Sequence, residues 1–184
     1  MVKRIFDFFF ALVGILLLSP MLLLCWLLAC VDTHSNGLFL QTRIGQHGKQ
    51  FVIYKFRTMH CKTTKVSKLG AFLRRYKLDE IPQLFNILRG DMGIVGPRPD
   101  IAGYYDTLQG EERKVLELKP GLTSLAAIKY ANEEQLLAQQ ETPLQYNDTV
   151  LFPDKVKMNL DYFYKRSFWG DVKIIWKTIV IVFK

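Results

Sequence analysis

An α-rich α+β fold is predicted for this chain of 184 residues by three features. A long apolar run fills its first thirty residues, two extended runs flank a glycine turn after it, and helical hydrophobic spacing dominates the remainder. The organisation expected is a re-entrant membrane helix-break-helix over residues 1–31 and a body over residues 32–184. The body carries a small β-hairpin and several amphipathic helices, the last an interfacial helix over 171–184.

The apolar run comes first. From Ile5 to Val31 the only charged residue is Asp7. As one straight helix the run would measure about 40 Å against a hydrocarbon core of about 30 Å. Ser19-Pro20 lies at its middle. Proline removes a backbone donor and clashes with the preceding turn, so a kink is expected there, and the Ser19 hydroxyl can serve a freed carbonyl. The limb from Ile5 to Leu18, at roughly 21 Å, is too short to span. Lys3 and Arg4 precede the run, and ten Lys/Arg against three Asp/Glu follow it between Asp32 and Glu80. The positive-inside rule puts both flanks on the cytoplasmic side, which a hairpin entering and leaving one leaflet satisfies. Two other readings remain open. One is a tilted spanning helix that tolerates Pro20; the other is a secretion signal ending in the lipoprotein-like Leu27-Leu28-Ala29-Cys30.

A net charge of +8 calls for an anionic partner, and beside an apolar anchor the lipid bilayer is the simplest one. No zinc finger and no basic-aromatic RNA motif is present, so nucleic acid is not expected. Cys25, Cys30 and Cys61 form neither a disulfide framework nor a metal spacing. His34, His47 and His60 are too scattered to suggest a metal site.

In the body, Leu38 to Arg43 and Phe51 to Arg57 flank Gly45 and Gly48, the chemistry of a hairpin. Lys55 and Arg57 fall on one strand face. Leu69 to Tyr76 has helical spacing. Asp79 then stands in a helix-start context, with Pro82 in the first turn and Leu84, Phe85, Ile87 and Leu88 as the apolar face up to Gly90. Adjacent carboxylates at Asp79 and Glu80 read either as a cap with a first-turn charge or as a catalytic pair. Pro97 and Pro99 leave Arg98 little backbone freedom, as a fixed phosphate contact requires and as any tight loop also requires. A polar helix over Asn132 to Gln140 with Asn132 as cap, a helix from Phe152, and an apolar stripe of Val172, Ile175, Trp176, Ile179, Val182 and Phe183 complete the pattern.

Lys3-Arg4-Ile5-Phe6-Asp7, Ser19-Pro20, Tyr54-Lys55-Phe56-Arg57-Thr58-Met59, Leu78 to Asn86, Gly90-Asp91-Met92, Gly96 to Pro99 and Lys119 to Thr123 resemble, in order and spacing, the bacterial sugar transferases. These are small monotopic phosphoglycosyl transferases, and the resemblance covers essentially the whole chain. It implies a sugar 1-phosphate transfer from a nucleotide diphosphate sugar, in all expectation a UDP-sugar, to polyprenyl (undecaprenyl) phosphate. The step would open glycoconjugate assembly at the cytoplasmic face of the bacterial inner membrane. Asp79 would be the nucleophile, forming a phosphosugar-aspartyl intermediate. Glu80 would complete the dyad, with Mg²⁺ held by Asp79 and Glu80. Arg74, Arg98, Pro97, Pro99, Lys55 and Arg57 would line the substrate site, and a homodimer is among the assemblies allowed. The family often reads Gly-x-Thr-Gly-x-Ala-Gln with an arginine nearby. Here Ser124 and Ala127 replace the second glycine and the glutamine, and Lys129-Tyr130-Ala131 follows, so sugar or nucleotide contacts from this segment are in doubt.

Overall fold

The computed structural model describes residues 2–61, 63 and 65–182. Helix α1 spans Val2–Thr33. Its helical geometry continues through Pro20, so the two expected limbs form one element. Proline at position 20 leaves the Leu16 carbonyl without its i+4 amide donor, and Ser19 Oγ donates to that carbonyl at 2.9 Å. Only one narrow stripe of α1 is buried, marked by Asp7, Ala11, Cys25, Ala29 and Thr33. Leu16, Leu17, Leu23 and Leu24 point outward and remain exposed.

Both ends of α1 are tied to the body. Near its start, Arg4 donates to the carbonyls of Ile87 and Leu88, and Lys3 pairs with Asp171 at 2.7 Å. Near its end, Ser67 donates to Asp32 at 2.6 Å. The basic flank read from sequence as a topology signal is thus also a structural clamp.

Strands β1 (Leu38–Ile44) and β2 (Gln50–Phe56) form the expected antiparallel hairpin, paired from Leu38 opposite Phe56 to Ile44 opposite Gln50. His47 and Gly48 adopt positive φ in the connecting turn. Helix α2 (Lys68–Arg75) starts at Ser67, whose hydroxyl accepts from the Gly70 amide at 2.8 Å. A 3₁₀ turn over Leu78–Glu80 precedes α3 (Gln83–Arg89), which ends on Gly90 at φ 90°. Arg4 serves the last carbonyls of α3, where a cation is favoured.

A second sheet pairs β3 (Gly93–Val95) with β4 (Gly121–Thr123) in parallel. The remaining α-helices are α4 (Leu125–Lys129), α5 (Glu133–Ala138), α6 (Pro143–Tyr146), α7 (Phe152–Lys165) and α8 (Phe168–Val182). Asn132 precedes α5 as expected, without a side-chain capping bond.

The principal core joins Ala11 of α1, Ile53 of β2, Leu84 and Ile87 of α3, Ile94 and Val95 of β3, Tyr162 of α7 and Ile174 of α8. A second cluster seats Cys25 and Ala29 against Phe56 and Leu73. Helix α8 begins before the expected Asp171 and turns Asp171 and Ile174 inward. Trp169 and Trp176, 77% and 67% exposed, and Ile179 face outward. Phe183 and Lys184 lie outside the described residues.

Candidate active site

Asp79 and Glu80 sit in the 3₁₀ turn between α2 and α3. Lys77, at φ 53°, reverses the chain just before them, and Glu80 N closes the turn on the Lys77 carbonyl at 3.1 Å. Neither carboxylate is a helix cap. The position before α3 is Pro82, with no side-chain capping bond. The reading of Asp79 as a helix cap therefore fails on geometry.

The two side chains are equally buried, each 7% exposed, yet their surroundings are opposite. Arg98 grips Glu80 as a fork, Nη1 donating to Oε2 at 3.0 Å and Nη2 to Oε1. Lys55 Nζ donates to Oε1 at 3.1 Å. Burial alone would raise the Glu80 pKa, but Arg98 and Lys55 override it and hold the carboxyl well below its usual range. Asp79 receives no such contact: its Oδ1 is buried without a hydrogen-bond partner among the described residues. Burial, and next the Glu80 charge, push its pKa up to about 6.

Three supports hold these groups. Asn86, fully buried on α3, acts as a surrogate strand against β2: its Oδ1 accepts from Tyr54 N (3.1 Å) and its Nδ2 donates to the Val52 carbonyl (2.7 Å). That bond pair fixes the register of Lys55, the next residue. The Arg98 loop is anchored on both sides. Gly121 N donates to the Pro97 carbonyl and Ile44 N to the Asp100 carbonyl, each at 2.8 Å, and Arg43 pairs with Asp100 at 3.3 Å. Pro97 is buried and Pro99 half-buried, so the two prolines shape the loop while Arg98, with 42% of its side chain exposed, keeps donors free.

Arg74 lies at the rim. Its Nε donates to Thr58 Oγ1 at 2.9 Å, and it is among the cations that pull the Asp79 pKa down. Arg57 shares a strand face with Lys55 but does not follow it to the dyad. Strand β2 ends at Phe56, and Arg57 donates to the Leu38 carbonyl at 3.3 Å with its guanidinium over the Phe39 ring. Among the described residues no three His, Cys, Asp or Glu side chains gather as a metal site. Sequence reasoning passed over Asn86, although a polar residue inside the apolar run Leu84 to Leu88 was its signal. It also passed over Arg43, whose Nε is buried and unpartnered among the described residues.

The model of the bacterial sugar transferase family matches residues 1–184. The chain belongs to that family. Among its relatives, the UDP-glucose:undecaprenyl-phosphate glucose-1-phosphate transferase of Caulobacter vibrioides is 34% identical over an alignment covering 96% of this chain and 68% of that protein. The enzyme of the same name from Escherichia coli is 33% identical, covering 97% of this chain and 39% of the relative. The UDP-N-acetylgalactosamine-undecaprenyl-phosphate N-acetylgalactosaminephosphotransferase of Aeromonas hydrophila is 30% identical, covering 97% and 43%. This sugar transferase thus spans two thirds of the first relative and about two fifths of the others.

Proposed function

We propose that this transferase moves a sugar 1-phosphate from a UDP-sugar to undecaprenyl phosphate, the first membrane step of glycoconjugate assembly. The substrates are those in the relatives' names. The observation that carries the chemistry is the unequal dyad: a buried, unpartnered Asp79 oxygen beside a Glu80 already engaged by two cations.

An oxygen without a hydrogen bond keeps its lone pairs for attack, and burial strengthens it as a nucleophile once ionised. Asp79 attacks the β-phosphorus, the bond to the leaving phosphate oxygen breaks, and UMP departs. The phosphosugar remains on Asp79. An oxygen of undecaprenyl phosphate then attacks the same phosphorus, which forms the diphosphate and frees the carboxylate. Arg98, forked onto Glu80 with part of its side chain open, would hold the donor phosphates, with Arg74 at the rim.

The donor set suits Mg²⁺, which takes one or two carboxylates and fills its sphere with substrate phosphate oxygens and water. Both Glu80 oxygens already accept hydrogen bonds, so Asp79 would be the principal protein ligand. When bound, the cation would neutralise charge on the diphosphate.

The re-entrant arrangement belongs to the same proposal. Arg4 binds α3 near one end of α1 and Asp32 binds Ser67 near the other. With both ends held by one body, that body on one side of the bilayer places both ends on that side. The outward Trp169 and Trp176 of α8 suit the headgroup level. Single cysteines near Lys3 and near Asn36, in a background lacking Cys25, Cys30 and Cys61, should both label from the cytoplasmic side only. Labelling from opposite faces would exclude the hairpin.

The chemical test omits the acceptor. Enzyme with UDP-sugar and Mg²⁺ alone should release UMP up to one equivalent per site and carry the phosphosugar on the peptide containing Asp79. Release of UMP only when undecaprenyl phosphate is present would replace the covalent route with direct transfer.

A further inference from the structure

A second polar cluster, between α5 and α7, is not used by the proposed chemistry. Lys155 of α7 pairs with Glu133 of α5 at 2.6 Å, their side chains 16% and 31% exposed. The Lys155 ammonium lies 5.9 Å from the centre of the Tyr130 ring, and the Tyr130 hydroxyl donates to Asp154 at 2.7 Å. Residue 130 thus orients the lysine with its ring and is itself fixed by its hydroxyl.

One contact ties this cluster to the rim of the site, and one longer-range charge interaction points the same way. Glu134, next to Glu133, approaches Arg74 Nη1 at 3.8 Å, and Arg74 is one of the cations acting on Asp79. Glu133 in turn is one of the acids acting on Arg98. The first turn of α5 therefore reaches the rim of the site at Arg74.

Helix α5 has six residues, none fully buried, and its charged first turn is tied to Arg74 and Lys155. The cluster also lies at the segment where glycine, glutamine and arginine give way to Ser124, Ala127 and Lys129-Tyr130. Ser124 caps α4, accepting from Ala127 N at 2.9 Å, and the chain emerges at Tyr130 against α7.

We propose that Glu133 and Lys155, held by Tyr130, form the subsite that reads the hydroxyls of the donor sugar. A carboxylate accepts from a hydroxyl and an ammonium donates to one, so the pair senses the orientation of neighbouring sugar hydroxyls. A site built to hydrogen-bond a hydroxyl discriminates strongly against a donor that presents it wrongly, because its own polar groups are then left unpaired. The proposal rests on the transferase reading above and adds the determinant of sugar choice.

The test compares UMP release from UDP-glucose, UDP-galactose, UDP-N-acetylglucosamine and UDP-N-acetylgalactosamine by wild type, Glu133→Gln, Lys155→Met and Tyr130→Phe. Inhibition by UMP is measured alongside, and thermal melts verify folding. For Glu133→Gln and Lys155→Met, the ratio of kcat/KM between preferred and rejected sugars should collapse by about tenfold or more, with UMP inhibition unchanged. Tyr130→Phe keeps the ring and loses the anchor, so its loss should be smaller. A folded variant pair with unaltered ratios overturns the sugar subsite. A parallel change in UMP inhibition would move the cluster to the nucleotide and equally overturn it. Failure of the wild type to release UMP from any UDP-sugar would instead overturn the transferase chemistry itself, so the two failures are distinct.

Discussion

Residues 78–98 and residues 131–150, the second touching the rim of the site through Glu134 and Arg74, are held in different ways. The first stretch is a floor built on Asn86, Ile87, Met92 and Val95, all essentially inaccessible, with Asn86 bonded into the edge of β2. The second is a wall of two short helices, α5 and α6, which have no fully buried residue and carry no side-chain caps. Salt bridges at its surface link it to the rest, contacts that contribute little to stability individually. The contrast follows from what each has to do. Reacting groups lose rate steeply when misplaced by an ångström, so they belong on packed elements. Groups that select among substrates sit where the chain can change without disturbing the core.

The largest expected effect tests the floor. Asp79→Asn should abolish turnover and the UMP burst, because a carboxamide cannot form the acyl phosphate that carries the phosphosugar, while the fold survives. Stability should change in a pH-dependent way. The Asp79 pKa is raised to about 6 in the folded chain from an ordinary value of 3.8, so the native state holds this proton more tightly than the unfolded state. The stability this gives is fully present below pH 3.8 and is lost as pH rises through about 6. At pH 8 the asparagine variant should therefore be more stable than wild type, by about 3 kcal/mol at most, and the gain should vanish near pH 3. Wild-type kcat/KM should fall as pH drops below about 6. A folded, active Asp79→Asn enzyme would remove the chemistry from the floor.

Arg98→Lys comes next. It keeps the charge but loses the fork that binds both Glu80 oxygens. An ammonium is a point donor and cannot hold Glu80 and a phosphate in one plane. Efficiency should drop about tenfold or more, a transition-state loss of about 1.4 kcal/mol. Kinetics close to wild type would return Pro97-Arg98-Pro99 to a purely structural role.

The contrast also explains what could be read from the sequence. The hairpin, α2 and the stretch leading to Gly90 were legible because each rests on local rules: turn glycines, hydrophobic period and proline geometry. Those rules left Asp79, Glu80 and Arg98 open between a structural and a chemical role, and only the resemblance to the sugar transferases favoured the chemical one. Lys55 and Arg57 show where such rules stop. Strand alternation gives them one face, yet only Lys55 reaches Glu80, because β2 ends between them. The parallel pairing of β3 with β4 left no local trace, since three residues around a glycine carry no period to detect. The Glu133–Lys155 bridge joins residues 22 positions apart, and charge alone does not announce its partner. Lys3 and Arg4 fit the positive-inside pattern, but their pairing with Asp171 and α3 is long-range and invisible in the flanking sequence.

The smallest effect separates floor from wall in stability alone. Gly96 and Gly121 bring the ends of β3 and β4 so close that a Cβ on Gly96 would lie 2.2 Å from the Lys119 carbonyl oxygen and 3.1 Å from Gly121 N. Both neighbours are backbone and cannot swing aside, so Gly96→Ala must push the two loops apart. Overpacking of this kind costs about 1–3 kcal/mol. It should also lower activity, because the displaced Gly121 N holds the Pro97 carbonyl and Arg98 follows directly. Gln139→Ala, at an exposed position just after α5, removes no buried contact and should stay within about 0.5 kcal/mol of wild type. Urea or thermal melts of the two variants in the same detergent make the comparison. Equal losses would mean that the wall is as tightly built as the floor, and the division between fixed chemistry and adjustable selection would not hold.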